Sequence, residues 1–292
     1  MNFEIKDGLW KSRFNIYPFA TILSLLLIVL LFLLRIDSVA ESAGWRKLDE
    51  GLYFGEFKPN KKSQICDNEI NIIKIEPEFY SFTLLSASEH GYKLRTLKQW
   101  CSQFGLRAAI NASMYQIDYL KSTGYMRNYR HINNPHINKS LGSLMAFNPV
   151  DPSFQDVRII DRRLQKNWKK FMNKYNTVIQ NYRMISNGKK VGWPQRDIVN
   201  SAAAIGMDKD NSVLFILSRS LYSTHDFIYA LLSLPINIKN AMYVEGGPEA
   251  SLYLKIYDQE INLIGICEPD LNKSNNETGS EIPNVIGIVK RK

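Results

Sequence analysis

The chain has 292 residues, 45% of them hydrophobic and 12% aromatic, with three cysteines and a net charge of +9. Such a composition excludes a disordered polymer and a small disulfide-stapled scaffold, and leaves one large globular domain or two small ones. Four of the 37 basic and three of the 28 acidic side chains lie in Met1–Ala40, so the basic excess belongs to the remainder and suits an anionic partner: nucleic acid, phospholipid or a phosphate-bearing substrate.

Residues 1–16 carry Lys6, Lys11 and Arg13 against Glu4 and Asp7. Phe19–Leu34 is then free of charge and rich in Leu and Ile, and Tyr17-Pro18 lengthens it to the lower limit for a membrane span. Residues 17–35 are therefore expected to be a single transmembrane helix, with 1–16 cytoplasmic and the rest exported, by the positive-inside rule. The small residues Ser38-Val39-Ala40 also suit a cleaved signal peptide. Either way the domain is exported, which argues against nucleic acid as partner. The expected location is a bacterial inner membrane, with the main domain in the periplasm or outside the cell. Cys66, Cys101 and Cys267 are an odd set without metal-type spacing, and no pair among them is favoured.

Residues 36–60, polar and punctuated by Gly44, Gly51, Gly55 and Pro59, read as a tether, and 61–292 as the domain. Glu69–Ile75 and Phe79–Ser86 are strand-like around Glu76-Pro77. Leu94–Phe104 spaces its apolar residues by three and four and ends at Gly105, the pattern of a half-buried helix. Leu106–Ile110 is a short strand entering Asn111, and Gly142–Phe147 and Val157–Ile160 are further strands. The polar run His131–Asn138 reads as a lid or an insert, and the four histidines have no matched partners. Asp161–Tyr175 has the period of an amphipathic helix, with Leu164, Trp168, Phe171, Met172 and Tyr175 ringed by Arg and Lys; it fits an anionic membrane surface or a solvated basic face. Thr177–Tyr182 is a strand ending in Arg183. Ser201–Met207 and Val213–Ser218 form a hairpin, Thr224–Leu234 a helix capped by Ser223 or Thr224, and Asn284–Val289 a last strand. The expected fold is α+β: a single mixed-sheet domain with flanking helices, preceded by the membrane helix.

Two stretches carry chemistry. Ala241–Val244 delivers Glu245 into Gly246-Gly247, with Ser251 following; the glycines permit positive φ and close approach. Ala108–Ile110 likewise runs into Asn111-Ala112-Ser113-Met114-Tyr115. The two are expected to meet and form a site.

The order of these pieces resembles the phosphodiester glycosidase family. Asn111–Tyr115, Thr123-Gly124-Tyr125 and the strand Leu144–Asn148 come first. Ile179–Ile185 with Asn187-Gly188-Lys189, Ala203–Asp208 and Val244–Ser251 follow, so the resemblance spans Ala108 to Leu254. The family is typified by the enzyme that removes N-acetylglucosamine from a phosphodiester, and its bacterial members are associated with exopolysaccharide. The resemblance implies a hydrolase that cleaves a glycosyl-1-phosphodiester, acting on a phosphosugar or glycan; no cofactor is expected, and nothing in the sequence demands a metal. It implies Glu245, Arg183 and Asn111 as catalytic residues, with Arg183 as a phosphate clamp. Ser113, Tyr115, Gly124, Gly246, Gly247 and Ser251 would bind substrate. The chain departs from the family pattern in having Ser113 for a glycine and Glu245-Gly246-Gly247-Pro248 where members show Asp-Gly-Gly-Gly-Ser. The alternative these departures suggest is a non-catalytic glycan or phospho-glycan binding protein that keeps the fold.

Overall fold

The computed structural model describes residues 44–63, 66–266 and 279–291. In chain order they form β1 (Trp45–Asp49), β2 (Leu52–Phe57), β3 (Ile70–Ile75), β4 (Tyr80–Ser86), α1 (Leu97–Phe104), β5 (Ala108–Asn111), β6 (Met126–Asn128) and β7 (His131–Asn134). There follow β8 (Ser143–Pro149), β9 (Val157–Asp161), α2 (Trp168–Met172), β10 (Tyr175–Ser186), β11 (Lys189–Lys190), β12 (Asn200–Asp208), β13 (Val213–Tyr222) and α3 (Thr224–Ser233). The last are β14 (Ile238–Gly246), a 3-10 turn at Gly247–Glu249, β15 (Ser251–Ile256), β16 (Gln259–Ile264) and β17 (Asn284–Lys290). The expected membrane segment at 17–35, the cytoplasmic 1–16 and Cys267 lie outside the described residues. Among those described, no helix is long and apolar enough to cross a membrane.

The strands form two sheets. The larger has 12 strands and runs β1-β2-β3-β13-β12-β14-β10-β6-β7, with β8, β9 and β11 attached through β10 and β8. The smaller has five in the order β16-β15-β5-β17-β4. Apolar residues facing inward from both sheets share one core: Ile205, Phe215 and Val244 from the larger meet Leu84, Ile110, Leu252 and Ile286 from the smaller. Helix α3 covers the other face of the larger sheet with Phe227, Ile228 and Leu231, and α1 covers the smaller with Leu97, Trp100 and Cys101. α1 starts at a capping box, in which the Thr96 hydroxyl accepts the Gln99 N–H and the Gln99 side chain accepts that of Thr96. It ends at Gly105 in the left-handed conformation, at φ 67°.

The expected α+β domain with a single mixed sheet is therefore corrected to a mostly β domain with few helices and two sheets, in which the described strand pairs are antiparallel. Three local expectations change as well. Residues 45–57 are no tether: β1 pairs with β2, which pairs with β3 along its whole length, and burial of Leu52, Phe54 and Phe57 fixes them in the domain. The His131–Asn138 run contributes β7, paired with β6. The long helix over Asp161–Tyr175 shrinks to α2. At its start the Asp161 carboxylate accepts the N–H groups of Arg163 and Leu164 in a turn. At its end the β-branched run after Tyr175 is drawn into β10, where Tyr175 is buried opposite Pro149. Arg162 and Arg158 lie over the rings of Trp168 and Phe171, so the basic and aromatic residues pack on one another rather than on separate faces.

Candidate functional site

Glu245 stands at the end of β14, where the pairing with β12 slips: Ala204 faces Tyr243 but Ala203 faces Glu245, leaving Val244 as the extra residue. A bulge of this kind re-aims the following side chain. Glu245 joins the face of Ala203, at the margin of the core between the sheets, and is only 9% exposed. Its Oε1 accepts the N–H of Gly246 at 3.0 Å. Burial, together with the negative charge of Glu249 and against that single hydrogen bond, pushes the Glu245 carboxyl up to about 8. The Tyr115 phenol is pushed up to about 12 by its own burial and by the charges of Glu249 and Glu245. Tyr243 rises too, by burial and the charge of Glu245. Two carboxylates and two phenols thus act on one another across the end of β14.

The turn after Glu245 needs both glycines. A Cβ at Gly246 would lie 1.9 Å from the Tyr243 hydroxyl and 3.1 Å from the Ser201 carbonyl. Gly247 has φ +70°, the left-handed region that favours glycine. The Ser201 hydroxyl donates to the Gly247 carbonyl at 3.0 Å and fixes the peptide.

Asn111, at the end of β5, ties this turn to the smaller sheet. Its Nδ2 donates to the Glu249 carbonyl at 2.9 Å and its Oδ1 accepts the Ser251 N–H at 2.8 Å. The two chemistry-bearing stretches therefore meet. Asn111, Tyr115, Glu245, Gly246, Gly247 and Ser251 are brought together, the last with its hydroxyl donated to the Glu249 carbonyl.

Other expected site residues lie behind or beside this group. Ser113 is buried, with its hydroxyl 2.9 Å from that of Ser122 and its N–H on Asn284 Oδ1. Gly124 is packed so closely that a Cβ would lie 2.6 Å from Leu141 and 2.8 Å from the Gln180 carbonyl. Arg183, near the end of β10, is held by Asp161, with Nη1 3.0 and 2.8 Å from the two carboxylate oxygens. Burial works against the Asp161 charge, but the Ser186 hydroxyl, Arg183 and the Arg163 N–H outweigh it and hold the carboxyl below the usual range.

Sequence reasoning missed Glu249, although it lies four residues beyond Glu245 within Val244–Ser251. It also missed Asn181 and Asn284. Asn181 donates to the Ala112 carbonyl at 2.8 Å, and Asn284 receives Ser113 from a strand 171 residues away, for which no local signal exists. Asn181 Oδ1 and Asn284 Nδ2 find no partner among the described residues, leaving an acceptor and a donor beside the Ala112–Ser113 backbone. Among the described residues no group of three or more His, Cys, Asp or Glu side chains could hold a metal ion.

No curated protein matches the chain. Among solved structures it is similar to a hypothetical protein from Synechocystis, with 14% identity and a TM-score of 0.61, over 85% of this chain and 63% of that one. It is also similar to the zebrafish N-acetylglucosamine-1-phosphodiester alpha-N-acetylglucosaminidase catalytic domain auto-inhibited by its pro-peptide, with 12% identity and a TM-score of 0.55 over 85% of this chain and 87% of that one. At such identities the likeness is one of fold. The chain thus spans a little under two thirds of the Synechocystis protein. The sequence model of the phosphodiester glycosidase family matches residues 104–289, which include the whole of the site, and the chain belongs to that family.

Proposed function

We propose that the protein hydrolyses a glycosyl-1-phosphodiester in a surface or periplasmic glycan, anchored to the membrane through residues 17–35. The observation that carries this reading is Glu245: a buried carboxylate beside a glycine turn, locked by Asn111 to the end of β5, which leads on to Tyr115. Water attacks the anomeric carbon, its proton passes to Glu245, and the carbon–oxygen bond breaks with its electron pair leaving on the phosphate monoester. That leaving group needs less acid assistance than a sugar alkoxide, so one base suffices where ordinary glycosidases use paired carboxylates. Asn111, Tyr115 and the Gly246–Ser251 turn shape the sugar site, supported from behind by Ser113 and Gly124. Arg183 supplies the cation for phosphate from its place on Asp161.

The Glu245→Gln variant is expected to stay folded and to release no reducing sugar from a glycosyl phosphodiester. Unchanged turnover would remove the assignment. One observation favours a second reading, a glycan-binding protein without turnover: the Arg183 guanidinium is already engaged by both oxygens of Asp161. Binding of phospho-glycans with no hydrolysis by the unaltered protein would support it, and robust hydrolysis would eliminate it.

A further inference from the structure

We propose that the cleft between Arg163, Arg183, Tyr182 and Trp193 extends the site beyond the Arg183 phosphate clamp, as a carbohydrate subsite for a further sugar ring bearing an anionic substituent of its own. The substrate would then be a glycan with more than one charged unit. This rests on the glycan reading above but not on Glu245.

The cleft encloses about 190 Å³. That is small beside the ~300–1,000 Å³ of pockets for drug-sized ligands, and suits one ring with its substituent. Its floor is rigid. Trp193 Nε1 donates to the Arg183 carbonyl at 2.7 Å, and the Tyr182 and Trp193 rings meet edge to face at 5.5 Å. Aromatic walls of this kind bury the C–H face of a pyranose. Gly142 leaves room for Arg183, whose Cβ would be 3.3 Å from a Cβ there. Arg163, at the rim, is exposed and its guanidinium has no partner among the described residues, so it is a fork open to a carboxylate or phosphate. The hydroxyls of Tyr182 and Ser140, also in the lining, have no partner among those residues either and remain for sugar hydroxyls.

Position links this subsite to the candidate site. Trp193 and Pro194 also wall a second hollow, whose other lining includes Ser201, Ala202 and Tyr243. Ser201 and Tyr243 are the residues that close against Gly246, next to Glu245. A chain of sugars lying over Trp193 would have one unit at each side.

The test is calorimetric titration of the Glu245→Gln protein, which separates binding from turnover, with glucose 1-phosphate, glucuronic acid, glucose and inorganic phosphate. Both charged sugars are expected to bind at least tenfold more tightly than glucose or phosphate. Arg163→Ala should abolish that preference and Trp193→Phe should retain it, whereas Trp193→Ala should weaken both charged sugars at least tenfold. Arg163 is exposed, so its loss leaves the fold intact. Equal affinity for phosphate and glucose 1-phosphate would reduce the cleft to an anion site and overturn the proposal. So would absence of binding, or binding unchanged in Arg163→Ala. Loss of turnover in Glu245→Gln decides the hydrolase reading independently.

Discussion

The Oδ1 of Asn111 accepts the N–H of Ser251 at 2.8 Å across 140 residues of sequence, and the same amide donates to the Glu249 carbonyl. One side chain thereby satisfies two backbone groups of the turn that follows Glu245 and sets that turn against the smaller sheet. Asn111→Ala would leave the Ser251 N–H buried and unpaired and the Glu249 carbonyl with the Ser251 hydroxyl alone, at a cost of about 1–3 kcal/mol. The expected result is a lower urea midpoint and a loss of turnover larger than the unfolded fraction explains. Turnover measured well below the midpoint separates the two.

The raised carboxyl of Glu245 sets a pH dependence. As a base it works only when ionised, and at about 8 it is mostly protonated near neutrality. The rate at low substrate should climb about tenfold per pH unit up to that region and level off above it. A rate that instead fell through the same region would make Glu245 the proton donor and reverse its role.

Much of this was legible before the structure. The strands around Ile72, Leu84, Ile205 and Phe215 announce themselves by apolar runs, and the meeting of Asn111 with the Glu245 turn follows from two strands that each end in polar groups. What was not legible depends on pairing. β2 looks polar because Gly55 and Glu56 interrupt its apolar residues, yet β3 offers it a full ladder. The period in Leu164–Tyr175 is helical, but Tyr175 gains more by burial in β10 than by continuing α2. Asn284 reaches Ser113 from the last strand, and no local pattern encodes a partner so distant. The Val244 bulge that aims Glu245 is set by register with Ala203 and Ala204, which a single strand does not reveal.

Burial of Glu245 also has a cost in stability. Its folded pKa lies above the ordinary carboxylate value, so the folded state keeps a proton that the unfolded chain releases. From the ordinary carboxylate value of 4.5 up to about 8, stability contributed by this group is lost as pH rises, at about 1.4 kcal/mol per pH unit for full titration. Glu245→Gln has no such proton to lose. The advantage of the variant over the unaltered protein in urea midpoint should grow between pH 5 and pH 8 and then stop growing. Parallel curves across that window would mean that the carboxyl titrates normally.

Close packing at Gly246 gives a test that needs no substrate. A Cβ at this position meets the Tyr243 hydroxyl at 1.9 Å, while the ring carbon that bears it is 3.1 Å away. Tyr243 is half-buried beside Trp193 and packs against the cluster under α3. Gly246→Ala should therefore destabilise by the ~1–3 kcal/mol typical of overpacking. Tyr243→Phe removes the clashing oxygen, so the double variant should recover part of that loss, with a coupling of at least ~0.5 kcal/mol in the double-mutant cycle. Full recovery is not expected, because the Ser201 carbonyl also stands 3.1 Å from the new Cβ and belongs to the backbone of β12. Additive effects in chemical denaturation would show that the tyrosine moves aside at no cost, and that Gly246 is required for approach of a substrate rather than for packing.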